Sequence, residues 1–356
     1  MLSARFATQL ISALAMSMAM PRPAWAHVKW FSEFSYADRP LTLTEAVTPA
    51  LALLALFSAA VIGALVPLDR RLARTPGYQE INRWLEARSQ TSLTVLRIAA
   101  GAALLLAWQA GTLLVPEFRI GEGWLGWSQF FLVLLLLFPR TVPLAGAGLI
   151  LLYVFGTARF GVFHMLDYLV YAGAGYALMV ASARDVRLRG TAIPALYLTV
   201  GFSLCWVALE KIVYPQWGLY ILEQHPQLAL GFDLRFFLLG AAFVEFALGY
   251  LLIIGLLERP LALTITVVFF LTTMVFGKLE VIGHTLIHGA LVVFLLEGPG
   301  KIYPAPFRLH SKMGLRTAFA SVNFLLLFVV LFVPYAYGAW ERHEARAVVT
   351  ERGVRP

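Results

Sequence analysis

The sequence predicts an all-α membrane protein, a polytopic helical bundle of about ten transmembrane helices that includes two tandem four-helix units. Of its 356 residues, 60% are hydrophobic and 13% are charged, about half the charged share of a soluble domain. The apolar residues form runs of roughly 16 to 24, each long enough to cross a hydrocarbon core as a helix. Sequence elements of one half also recur in the other. This composition argues against a soluble enzyme.

The first segment, 1–26, is predicted to be a cleaved signal peptide. It carries the basic Arg5, an apolar stretch, and Ala24-Trp25-Ala26 in the small-x-small form of a leader-peptidase site. Cleavage there would make His27 the N-terminus of a periplasmic segment over 27–44. An uncleaved anchor is the alternative, for which the apolar stretch is short.

Ten apolar runs follow, and the loops between them predict their orientation, because Lys and Arg are concentrated in cytoplasmic loops. A periplasmic N-terminus places every strongly basic loop in the cytoplasm, so we expect a multi-pass protein of the bacterial inner membrane. The basic residues are dispersed among these loops, which indicates contact with the lipid bilayer and not with nucleic acid. The predicted helices are 45–66, 93–115, 124–138, 142–158, 163–182, 192–213, 235–257, 261–276, 280–297 and 315–338; the basic loops are 67–92, 183–191 and 298–314, and a polar tail covers 339–356.

An internal repeat relates the segment 93–182 to the segment 192–297. Each contains four spans, so both units are expected to insert in the same direction, as a parallel repeat about an axis along the membrane normal. Each of the two Val-Phe-Gly triplets is predicted to close the third helix of its unit. The matching elements are Arg97 to Gly101 with Tyr197 to Gly201, Trp108 with Trp206, Pro116 with Pro215, and Val154-Phe155-Gly156 with Val275-Phe276-Gly277.

The second unit carries a set of spaced residues, namely Gly201, Trp206, Glu210-Lys211, Tyr214-Pro215, Glu245 and Gly249. Through these residues it resembles the DoxX family of bacterial inner-membrane four-helix proteins. The resemblance covers about 190 to 298 directly and 93–182 only through the repeat, and it implies a module associated with quinone-linked or sulfur-linked redox complexes. The first unit lacks the Glu-Lys pair of the second.

Five ionisable residues within or beside the predicted spans are the candidate catalytic residues. Glu210 and Lys211 end the sixth span at the outer face, and Glu245 lies near mid-membrane in the seventh. His164 and Asp167 begin the fifth span and suggest an imidazole oriented by a carboxylate. Such residues cost roughly 2.5 to 3.5 kcal/mol at a helix centre, so they are usually paired or functional.

The ninth predicted span carries Glu280, His284 and His288 on one helical face. Side chains at this spacing can bind copper or zinc, with His27 as a further ligand after cleavage. Glu280 and His284 can alternatively contact a quinone as its cofactor site, and packing of these polar residues between helices is the third interpretation.

The single cysteine, Cys205, excludes a CxxC thiol relay and a CxxCH haem attachment in this chain. Electrons for redox chemistry would therefore come from a periplasmic or membrane partner subunit or directly from substrate. We predict a redox-associated, quinone-linked membrane subunit. The alternatives are a periplasm-facing copper or zinc binding or assembly protein, and a membrane scaffold without catalysis. The sequence leaves open whether the protein is an enzyme.

Overall fold

The computed structural model describes residues 28–32, 35, 38–298 and 312–351. The predicted signal peptide, its cleavage site, His27 and most of the basic loop 298–314 lie outside these residues. Within them the chain is a helical bundle. Its longer helices are α1 (Pro49–Leu72), α2 (Pro76–Glu86), α3 (Ser92–Ala110), α4 (Gly123–Leu137), α5 (Val142–Phe160), α6 (Leu169–Val180), α7 (Ala192–Val213), α8 (Pro215–Gln224), α9 (Leu234–Ile254), α10 (Glu258–Phe276), α11 (Lys278–Glu297) and α12 (Met313–Glu351).

In the part of the chain that the structure describes, eight helices are long and apolar enough to cross a membrane: α1, α3, α5, α7, α9, α10, α11 and α12. The other two predicted spans form shorter helices. The run 124–138 becomes the 15-residue α4. The run 163–182 is divided into a turn over Val162–Met165, a 3-10 turn over Leu166–Tyr168 and the 12-residue α6. Ten full-length spans are therefore not seen.

The helices of the two predicted units pack together in one bundle. Helix α7 packs between α6 and α9, α3 packs against α11, α5 against α6, and α10 against α11, while α12 lies along α1. The contacts of α3 with α11 and of α6 with α7 each join the first helix of one predicted unit to the fourth helix of the other. Two units related by pseudo-symmetry are expected to make two such equivalent contacts. The repeat itself remains a prediction.

Helices α5 and α10 end in the same way, at a glycine with a left-handed φ. Gly161 has φ 88° and Gly277 has φ 76°, a conformation that favours glycine. The triplet Val154-Phe155-Gly156 thus lies inside α5 and does not close it as predicted. Aligning Gly161 with Gly277 places Tyr168 opposite His284, whereas aligning the two Val-Phe-Gly triplets of the sequence would place Asp167 opposite His288.

Helices α7 and α9 cross where two glycines face one another. A Cβ atom added to Gly249 would lie 2.5 Å from the carbonyl oxygen of Gly201 and 2.8 Å from Sγ of Cys205. Small residues at such a crossing let two helix backbones approach closely in a membrane. Gly146 of α5 and Gly175 of α6 make a similar crossing.

We predict that Gly249→Ala destabilises the protein, because the new methyl group overlaps the backbone of α7. Overpacking of this kind costs roughly 1 to 3 kcal/mol, which we expect to appear as a lower melting temperature in detergent. The matched control is Gly240→Ala, in the same helix, where no heavy atom lies within 4 Å of the added Cβ. Equal melting temperatures for the two variants would contradict the tight crossing.

Candidate functional site

A lysine from the N-terminal segment lies buried between two helices of the bundle. The side chain of Lys29, in a short helical turn over Val28–Phe31, is 1% exposed. Its Nζ atom lies 2.5 Å from Oδ2 of Asp167 and 2.6 Å from Oε2 of Glu210. We call these three side chains the Lys29 cluster. Two predicted site residues, Asp167 and Glu210, therefore meet, but through a cation that the sequence analysis did not select.

The local folding of α6 and α7 positions the two carboxylates. Asp167 sits in the 3-10 turn Leu166–Tyr168 just before α6, while Glu210 is fully buried in the last turn of α7. Because α6 packs against α7, both carboxylates reach the same space. The irregular turn is compatible with a membrane setting because it is buried within protein.

The chain that follows Lys29 is fastened to the same end of the bundle. The backbone N–H of Leu41 donates to the carbonyl of Val213 at 2.8 Å. The indole Nε1 of Trp217 donates to Oδ2 of Asp38 at 2.6 Å, and Gln216 donates to the carbonyl of Arg39 at 3.0 Å. These bonds hold the N-terminal segment over the cluster.

Counted over the described residues alone, the three side chains of the Lys29 cluster do not balance in charge. One ammonium and two ionised carboxylates sum to −1, and Glu117, which accepts a 2.5 Å hydrogen bond from the hydroxyl of Tyr168, adds further negative charge. Burial by itself lowers the pKa of Lys29, but the nearby carboxylates raise it well above its usual value. Burial raises the pKa of Asp167, against the opposing effect of Lys29. The lysine is thus charged, and a proton shared by the carboxylates would neutralise the cluster.

Trp30 connects the Lys29 cluster with α11. Its indole Nε1 donates to the hydroxyl of Tyr168 at 3.1 Å, and the two rings are parallel with centroids 6.4 Å apart. On the other side, the Trp30 ring lies 5.3 Å from that of His284. Gly283 makes this position possible, since a Cβ there would overlap the Trp30 ring. Trp30 therefore contacts both Tyr168 and His284. These two residues occupy equivalent positions when Gly161 at the end of α5 is aligned with Gly277 at the end of α10.

Glu280 and His284 form a buried pair one turn apart on α11, through Oε2 of the glutamate and Nδ1 of the histidine. The imidazole of His284 stacks on Phe269 of α10 with centroids 4.4 Å apart, and His288 meets the edge of the same phenyl ring. Among the described residues no group of three or more His, Cys, Asp or Glu side chains is arranged to hold a metal ion. The predicted copper or zinc site thus has no complete ligand set there, and His27 falls outside the described residues.

Lys211 and Glu245 form a separate ion pair, with Nζ 2.6 Å from Oε2 and both side chains partly exposed. Neighbouring residues on a helix point in different directions, so Lys211 turns toward α9 while Glu210 turns toward Lys29. The pair satisfies the charge of Glu245, which was predicted near mid-membrane. Glu210 and Lys211 are adjacent in sequence but belong to different interactions.

His164 is buried, and its predicted pairing with Asp167 is not seen. The hydrogen bond to Oδ2 of Asp167 comes from Lys29, and Oδ1 is buried without a partner among the described residues. Burial, reinforced by the positive charges of Lys29 and Arg342, lowers the pKa of His164 to about 2. The imidazole is therefore neutral at physiological pH.

Comparison with family models, with curated proteins and with solved structures gives no match to the chain. The resemblance to the DoxX family remains a prediction. The fold and the site define a helical integral membrane protein with a charged cluster buried at one end of its bundle.

Sequence reasoning missed Lys29, Trp30, Glu117 and Tyr168 as parts of the site. One signal for Lys29 was present, namely a lone lysine followed by Trp30-Phe31 just before the first predicted span. A cation with aromatic neighbours in such a short segment could have prompted a search for a buried carboxylate partner.

We predict that Lys29→Met destabilises the protein by roughly 3 to 5 kcal/mol, because it leaves two buried carboxylates without a cation. Adding Glu210→Gln should recover part of this loss by removing one of those charges. The measurement is the free energy of unfolding in detergent. The control is Arg159→Gln, which breaks the exposed ion pair with Glu122 and should change stability little. A Lys29→Met variant as stable as this control would show that the cluster is not formed.

We predict that acidification destabilises the protein through His164. Its pKa of about 2 in the folded state lies below the unfolded value of 6.5, so the stability it contributes is present above pH 6.5 and is lost as the pH falls below it. The loss is at most about 1.4 kcal/mol per pH unit. Melting temperatures between about pH 7 and about pH 4 should fall less for His164→Asn than for the parent. His225→Asn is the control, and identical slopes for all three proteins would refute the prediction.

Proposed function

We propose that the protein is an integral membrane subunit that holds an exchangeable proton at the Lys29 cluster and uses it in quinone-linked redox chemistry, with electrons supplied by a partner subunit. The observation that carries this proposal is the placement of a nearly unexposed lysine within hydrogen-bonding distance of two buried carboxylates from different helices. The overall class, a multi-pass helical membrane protein, rests on the long apolar helices.

The charge imbalance supports proton binding. In a medium of low dielectric constant, an excess carboxylate charge is costly, and protonation is the usual way in which a buried carboxyl group removes it. Three features favour one retained proton: the −1 sum of the cluster, the nearby Glu117, and the raised pKa of Asp167. A proton held in this way at neutral pH can be donated or accepted when the local charge changes.

The rings that surround the cluster support a quinone as the reaction partner. Reduction of a quinone to a quinol takes two electrons and two protons, one for each carbonyl oxygen, so it needs two proton donors beside an apolar ring. The carboxyl groups of the Lys29 cluster and the imidazole of His284 are two such groups. Trp30 and Tyr168 lie between them, and Phe269 covers His284.

Copper or zinc binding is the second candidate function, favoured by the contact of Glu280 with His284 and by His288 one turn further along α11. A carboxylate that contacts an imidazole can also orient it as a metal ligand. Such a site would need ligands from outside the described residues, and His27 is the one that the sequence offers. A role as a scaffold without catalysis has no specific contact in its favour.

The test is performed on the full chain purified in mild detergent. Organic extraction and mass spectrometry should find a bound quinone, and infrared spectroscopy at neutral pH should show a protonated carboxyl band that Asp167→Asn or Glu210→Gln removes. Glu122→Gln, in an exposed pair, should leave this band unchanged. Absence of the band would overturn the proton site, while a band without quinone would overturn the quinone role alone. Stoichiometric metal that is lost in His284→Ala would support the second function.

A further inference from the structure

We propose that α2 and the arginines around it form a docking surface for phospholipids with anionic headgroups. This inference concerns the end of the bundle opposite the Lys29 cluster and does not depend on the proposed function. The chain reaches that end through α1, a candidate membrane span, and leaves it through α3, a second one. The two spans hold the short helix α2 at the membrane boundary.

One face of α2 presents large apolar side chains to the exterior. Ile81 is 57% exposed and Trp84 is 56% exposed, and their spacing of three residues puts them side by side on the helix. Tyr78, Asn82 and Leu85 are less exposed and mark the face that turns toward the protein. An exposed tryptophan beside an aliphatic side chain is typical of a helix that lies in the interfacial layer of a bilayer.

Contacts on the inner face of α2 fix its orientation. Arg259, at the start of α10, donates through Nη1 to the side-chain oxygen of Asn82 and lies 3.5 Å from Glu86. The same guanidinium donates through Nε to the carbonyl of Leu295 at 2.7 Å. These interactions tie α2 to α10 and α11, so the exposed face is held outward by the fold.

The segment 67–92 has an excess of positive charge. It contains five arginines and three carboxylates, a formal sum of 5 − 3 = +2. Two of the carboxylates are engaged elsewhere: Asp69 accepts from the backbone of Leu257 at 3.1 Å, and Glu86 lies near Arg259. The exposed arginines are Arg70, Arg71, Arg74, Arg83 and Arg88.

Arg88 links the charged and apolar parts of the surface. Its guanidinium lies 3.8 Å from the centroid of the Trp84 ring and donates to the carbonyl of Trp84 at 2.6 Å. A guanidinium held over an indole can bind a phosphate with its remaining donors, while the indole packs against acyl chains. Together these features fit a lipid headgroup that is net negative and attached to an apolar tail.

The experiment compares nanodiscs that contain phosphatidylglycerol with nanodiscs of phosphatidylcholine alone, using the full chain and hydrogen–deuterium exchange of residues 76–88. We expect slower exchange in phosphatidylglycerol. Each arginine near an anionic surface contributes roughly fivefold to affinity. The double variant Arg74→Gln, Arg88→Gln should therefore need a far higher phosphatidylglycerol fraction for half-maximal protection. Trp84→Ala should weaken protection as well.

The control variant is Arg119→Gln, an exposed arginine in the loop between α3 and α4, which should retain the protection of the parent. Inorganic phosphate added to phosphatidylcholine nanodiscs should not reproduce the protection, because it lacks the apolar tail. Equal exchange of 76–88 in both nanodiscs would overturn the proposal. Protection that is unaffected by the double variant, or reproduced by inorganic phosphate, would overturn it too.

Discussion

The ion pairing of Lys29 with Asp167 and Glu210 is the interaction on which the arrangement of this protein depends. Two carboxylates buried at the end of a membrane bundle require a cation, since isolated charges in such a medium are strongly unfavourable. The cation comes from a segment that precedes the first span, so the chain folds back onto its own bundle. The hydrogen bonds that fasten residues 38–41 beside α7 and α8 follow from this placement.

The helices are shaped to admit that segment. The predicted fifth span is interrupted by a 3-10 turn that contains Asp167. In this turn the carboxylate of Asp167 contacts Lys29. On the other side of Trp30, the missing side chain of Gly283 leaves room for the indole ring. Trp30 thus lies between Tyr168, the neighbour of Asp167 in sequence, and the imidazole of His284.

The two ends of the bundle differ in chemistry. One end buries Lys29 with two carboxylates, while the other carries five exposed arginines in the segment 67–92 and the amphipathic helix α2. This asymmetry follows the distribution expected from the positive-inside rule. It separates the buried site for which we propose proton transfer from the surface for which we propose contact with lipid headgroups.

The sequence by itself determined the class of the molecule, because runs of apolar residues at helical length and dispersed basic loops are local properties. It also identified Asp167, Glu210, Glu280 and His284 as candidates, since charge near a membrane span is rare. The tertiary structure alone decided the partners. Lys29 and Asp167 are separated by 138 positions, and no local pattern relates them. Which carboxylate receives a cation depends on which helices pack together and where one of them breaks.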